Sequence, residues 1–245
     1  MKESQESMSM YPWQVESLRF SFINLLPDEA TDNFGWANLL PSEPDTVTAK
    51  KGMGLRTEQS NWLNGTLSVN RQPGRIDVVY SFHLQDPFAT GLDSLLPNAG
   101  SFGDVFAACS QFAESFRPLQ ACRFAFGGVL LLPVENSPEG YDYLKKFLPF
   151  ISFEEDMSDF FLQINRKKTS PQGIVVNELS KWGCVDVHAI NMADPDNQFT
   201  PSLHAVRLEL DINTPDGTQP LNVDVPALVS EFFERAESIS RLGAI

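Results

Sequence analysis

The sequence predicts an α+β fold, an antiparallel sheet or sheets with amphipathic helices on one face. Three observations carry that expectation. "HAVRLELDI" alternates strictly, with Val206, Leu208, Leu210 and Ile212 on one side and Arg207, Glu209 and Asp211 on the other. "SFGDVFAACSQFAESF" places Phe102, Val105, Phe106, Cys109, Phe112 and Phe116 at spacings of three and four, the stripe of an amphipathic helix. "NRQPGRID" joins two strand-like runs through Pro73, which presets φ, and Gly74, which accepts positive φ.

Residues 1–12 are polar and read as a flexible arm, and 13–245 as a single domain with halves 13–134 and 135–245. From Val15 onward, Leu18, Phe20 and Phe22 make the apolar side of a first strand. Residues 26–60 carry Pro27, Pro41, Pro44, Gly52 and Gly54 with little periodicity, and read as loop with one short helix. A hairpin follows, with arms from Leu63 to Asn70 and from Ile76 to Leu84, then a Pro/Gly-rich loop over 86–100. Ser101 is an N-cap for the helix after it, with Asp104 near the positive helix end. "RFAFGGVLLLPV" reads as a strand buried on both faces.

In the second half, Ser137 caps a helix with Pro138 in its first turn and Tyr141, Leu144, Phe147 and Leu148 on its apolar side. Phe160, Leu162 and Ile164 share one face of the next strand. "IVVNELSKWGCVDVHAI" is a long strand in which Gly183 marks a bulge. A terminal helix runs from Pro226 to Leu242 behind Asp224. Two stretches, "LSVNRQPGRIDVV" and "LQINRKKTSPQGIVV", nearly repeat each other. Tandem duplication of a β-β-β-α-like unit is one account of them, and convergence of hairpins on similar residues is the other.

The formal net charge is −14. A chain so acidic repels nucleic acid and suits a basic protein partner, although acidity also serves solubility. Cys109, Cys122 and Cys184 are three and widely spaced, without a CxxC pair, as expected of reduced thiols in a cytoplasmic protein. The apolar run 124–134 is too short to span a bilayer, and the N-terminus lacks the apolar run of a secretory signal, so no membrane association is expected.

Two groups of charged residues are candidates for binding a ligand or partner. Arg71 and Arg75 flank one hairpin turn, and Arg166, Lys167 and Lys168 flank the other. Such groups grip phosphate or a partner's carboxylate, or simply solvate a hairpin end. Glu154, Glu155 and Asp156 lie in an acidic segment before a strand, a docking point for a basic partner or a solvated link. Asp186, His188 and His204 contain the residue types of a metal site, but no HExxH or HxH spacing supports one. GxSxG, SxxK and Walker A motifs are absent, so no catalytic residue, metal or cofactor is expected.

The segment "LQINRKKTSPQGIVVNELSKW" resembles a group of uncharacterised bacterial proteins of similar length. In these, a strand ending in Ile-Asn-Arg precedes a basic turn and a segment like Leu-Ser-Lys-Trp. "QPGRIDVV" is similar to the group's other recurrent segment. The resemblance implies a bacterial, cytoplasmic protein from an accessory gene cluster and carries no site residue with it. Together these readings point to a non-enzymatic interaction subunit, adaptor or neutralising partner. Nucleotide or nucleic-acid binding through the basic turns is the alternative, and a metal-dependent enzyme a third.

Overall fold

A computed structural model describes residues 11–27, 29–83, 96–154, 156–188 and 202–244. Its strands are β1 (Gln14–Leu25), β2 (Thr46–Lys50), β3 (Leu55–Trp62), β4 (Gly65–Gln72), β5 (Arg75–Phe82), β6 (Ala121–Val134), β7 (Phe161–Thr169), β8 (Val175–His188) and β9 (Ser202–Asn213). Its helices are α1 (Glu29–Asn33), α2 (Phe102–Ser110), α3 (Ser137–Phe147) and α4 (Val225–Leu242). The strands form one antiparallel sheet in the order β2-β3-β4-β5-β1-β6-β9-β8-β7.

β1 and β6 pair at the centre, with Phe20 opposite Phe126. Outward from this seam the connectivity is the same on both sides: β5, β4 and β3 flank β1, while β9, β8 and β7 flank β6. Each block of four strands is followed by a helix, α2 or α4, and β2 is an extra strand at one edge. The two similar Asn-Arg stretches do not occupy matching places in this pattern. One is the β4–β5 hairpin and the other the β7–β8 hairpin, whereas the counterpart of β7–β8 in the first block is β3–β4.

Alternation sorts the side chains. Leu18, Phe20 and Phe22 of β1, Ile76, Val78 and Tyr80 of β5, and Val206, Leu208 and Ile212 of β9 are buried on one face. Rings from the helical segments pack against it. Phe124 stacks on Phe232 of α4 at 5.1 Å, Phe126 meets Phe233 edge-on, and Trp182 of β8 lies 5.2 Å from Phe147 of α3. Gly140 of α3 lets the helix close on β8, because a Cβ there would stand 2.6 Å from Cys184 Sγ. The opposite face presents Ser17, Arg19, Val79, Gly127, Leu179, Lys181, Glu209 and Asp211, all exposed or half-exposed.

Several local expectations change. Residues 26–60 contain β2 and most of β3 as well as a short helix. Their sequences, "TVTAK" and "LRTEQSNW", lie toward a sheet edge, where little apolar surface is covered, and so carry no alternating signature. Pairing with β9 runs unbroken through Gly183, where the β7 ladder ends, and the register shift lies instead between Val15 and Ser17. There Glu16 is the additional residue. Asn136, not Ser137, caps α3, accepting from the Glu139 N–H at 3.0 Å. Asp224 makes no side-chain cap and accepts instead from Arg117. The α2 helix ends at Ser110, with a short 3-10 turn carrying Phe116 inward.

Burial pushes the Cys109 thiol from its ordinary 9.0 up to about 12, and the Tyr80 phenol from 10.0 up to about 12. The fold favours the neutral form of both, so the unfolded chain ionises first. Their contribution is complete below about pH 9 and is lost as pH rises through about 12. Urea midpoints should therefore fall across this alkaline range, and Cys109→Ala should flatten the earlier part of the fall.

Candidate functional site

Both basic turns project from the same end of the sheet, but they are not neighbours. Counting strands between the β4–β5 and β7–β8 hairpins gives a separation of about 24 Å. Four of their five cations are held by the protein itself. Arg71 donates to the Asp32 carbonyl, and Arg75 grips Asp77 through two bonds of 2.7 and 2.9 Å. Arg166 donates to the Ala244 carbonyl at 2.6 Å, and Lys168 pairs with Glu178 at 2.9 Å. Lys167 alone makes no such contact among the described residues. These cations mainly tie the strands to their surroundings.

Lys168 belongs to a charge cluster between β7, β8 and α4. Glu178 is nearly buried and bonds Arg235, which also pairs with Glu231 at 2.6 Å. Glu231 accepts in turn from the Ser170 hydroxyl at 2.5 Å. The cluster is satisfied internally and clamps the terminal helix to the sheet edge.

The acidic segment is exposed. Glu154 and Asp156 face solvent, and Glu155 lies outside the described residues. Glu154 shares a cleft of about 420 Å³ with Ser137, Pro138, Tyr141, Asp142, Lys145 and Met157. Lys145, 2.9 Å from Asp142, holds that carboxyl below its ordinary range. Glu135 and Glu139 add two more carboxylates at the start of α3, so negative charge gathers at this margin.

Asp186 and His204 do meet, directly opposite each other on β8 and β9, with Oδ1 and Nδ1 2.6 Å apart. Ser137 Oγ is 3.2 Å from the same carboxylate oxygen and 3.3 Å from the same ring nitrogen. A nucleophilic relay needs the hydroxyl at one ring nitrogen and the carboxylate at the other. Here both converge on Nδ1, so the trio fastens the start of α3 to the sheet. A serine-directed fluorophosphonate should leave Ser137 unmodified by mass spectrometry. The His188 side chain lies outside the described residues, and no group of three metal-ligating side chains occurs among those described.

A depression near the sheet centre lies on the face opposite the buried one. It has a volume of about 570 Å³ and is lined in part by Arg19, Gly127, Leu179, Lys181 and Asp211. Register places Arg19, Gly127 and Asp211 in one row across β1, β6 and β9. Val79 and Leu179 continue the row on either side. The Arg19 guanidinium lies over Gly127, with Nη2 3.6 Å from where a Cβ would stand. Arg19 has no hydrogen-bond or ion partner among the described residues. Asp211 accepts from Asn213 at 2.9 Å but has no cation beside it among them. Their backbones stand about 10 Å apart, two strand spacings, across a position with no side chain. Alternation in the sequence marks Asp211 as outward-facing, whereas Arg19 and Gly127 belong to no motif. A glycine pair inside an otherwise apolar strand was the available signal, since glycine there often marks close approach by another group.

No family model matches the chain, and no curated protein or solved structure matches it either.

Proposed function

We propose that the chain is a non-enzymatic protein-interaction subunit, an adaptor or neutralising partner in a bacterial accessory system of the defence or toxin-related kind. In this reading the helices belong to one face of the sheet and the other face receives the partner. The two halves are then a tandem duplication of a β-β-β-α-like unit, with β3-β4-β5-α2 and β7-β8-β9-α4 as the two copies. The observation that carries the reading is the row Arg19–Gly127–Asp211. It offers two unlike charges, neither with an ion-pair partner among the described residues, across a side-chain-free gap, in a depression of about 570 Å³ with apolar flanks. That arrangement suits side chains of a second protein bearing complementary charge.

Charge distribution supports a basic partner. Nine arginines and lysines of the described residues lie within 4 Å of the chain's own carboxylates. The chain as a whole carries −14, and among the described residues carboxylates such as Glu154 and Asp156 face solvent. The internal contacts of Arg71, Arg75, Arg166 and Lys168 weigh against the nucleic-acid reading.

Tagged protein recovered from its native host should carry a basic protein in stoichiometric amount, and Asp211→Lys should release it. Recovery of a bare monomer, or a complex indifferent to Asp211→Lys, would argue against the reading. With that partner in hand, Glu154→Lys/Asp156→Lys should slow association about tenfold at low salt and leave dissociation nearly unchanged, because distant surface charge acts on the encounter. Stopped-flow mixing at two ionic strengths separates the two rates.

A further inference from the structure

The two edges of the sheet are unlike. β7 carries Arg166, Lys167 and Lys168 in succession, and such a run repels a second copy of itself. β2 is exposed along its whole length, and its first four residues, Thr46 to Ala49, are uncharged. Val47 is 50% exposed, and among the described residues no strand lies beyond β2 to take up its outward backbone groups.

We propose that β2 pairs antiparallel with β2 of a second copy, about a two-fold axis through Thr48, joining two nine-stranded sheets into one. The sequence is self-complementary in that register. Thr48 meets the partner's Thr48, Val47 faces the partner's Ala49, and Thr46 faces the partner's Lys50. One step beyond the strand, Asp45 accepts from Ser60 Oγ at 2.6 Å and from the Asn61 N–H at 3.3 Å, both through Oδ2, which leaves Oδ1 for the partner's Lys51 at the start of the turn after β2, and symmetry repeats each contact. No like charges meet, and unlike charges close both ends. Shifting the axis by one residue in either direction loses the Asp45–Lys51 pair.

The pleat agrees with this register. Thr48 pairs with Thr57, and Thr57 with Asn70, whose Oδ1 accepts from Thr57 Oγ1 at 2.9 Å. The Thr48 pair continues that polar row from one copy into the next. Val47, opposite Glu58, lies on the other face beside the partner's Ala49. This contact involves none of the residues lining the Arg19 depression and stands independently of its role.

Sedimentation of the full chain at micromolar concentration should show a dimer. Lys51→Glu should weaken it about tenfold by placing two carboxylates together at each end. Adding Asp45→Lys to the same chain should restore it. Thr48→Cys should give a covalent dimer under mild oxidation, since only an axis through residue 48 brings that position against itself. The wild-type chain, with Cys109 and Cys122 buried and Cys184 partly so, is the control. A monomeric wild type, a dimer indifferent to Lys51→Glu, or a Thr48→Cys chain that is folded by circular dichroism yet stays unlinked overturns the proposal.

Discussion

Replacing Arg235 with alanine should lower the unfolding free energy by roughly 3–5 kcal/mol, the cost of leaving a buried charge without its partner. The Arg235 guanidinium touches Glu178 and Glu231, whose side chains are only 4% and 12% exposed. Lys168 remains near Glu178, but it approaches from the solvent side and makes one contact. Water reaches these carboxylates poorly, so their desolvation stays uncompensated once the guanidinium is gone. The triple variant Arg235→Met/Glu178→Gln/Glu231→Gln removes all three charges and should recover much of the loss. Arg117→Ala is the comparison: its partners Glu114 and Asp224 are exposed, and the effect should stay within about 1 kcal/mol. Urea denaturation of the four proteins at pH 7 measures all of this. Equal midpoints for Arg235→Ala and Arg117→Ala would show that water substitutes for the guanidinium.

Gly127→Trp should abolish binding of the partner, by a factor of about a thousand or more, while leaving the fold intact. A side chain at residue 127 points into the depression between Arg19 and Asp211 and not into the core. An added Cβ meets nothing closer than 3.6 Å, so the backbone has no reason to move. The neighbouring residue gives the contrast. A Cβ at Gly128 points to the buried face and stands 3.2 Å from Leu18 Cδ2. Gly128→Trp should therefore cost stability by overpacking. Titration calorimetry with the co-purified partner, alongside thermal melts, distinguishes a blocked surface from an unfolded one. Undiminished affinity in a well-folded Gly127→Trp chain would remove the sheet face from the binding role.

Different parts of the molecule are legible in the sequence for different reasons. β9 shows itself because one of its faces is covered and the other is wet, so Val206 to Ile212 alternate in polarity. α4 is visible because its stripe of Leu228, Val229, Phe232, Phe233 and Ala236 is buried along one side. β2 and β3 are hidden because alternation appears only where a face is covered, and little covers them at the edge. The turns are legible as turns, since Pro73 and Gly74 carry their geometry locally, with Gly74 at a φ of 71°. What the neighbouring cations do is not local. Arg75 meets Asp77 two residues away, yet Arg166 reaches Ala244 and Arg71 reaches Asp32 through contacts that no spacing rule anticipates.

The sequence by itself determined the α+β class, the alternating strands, the hairpin turn at Pro73-Gly74 and the apolar stripes of the helices. These depend on interactions within a few residues or on the period of a single element. Only the tertiary structure decided which strands became neighbours. It placed the two similar Asn-Arg hairpins at unlike positions, closed Arg235 over Glu178, and set Arg19 and Asp211 on either side of Gly127. Strand order depends on chain segments far apart in sequence, and on the free energy of burying their faces together, which no local pattern records.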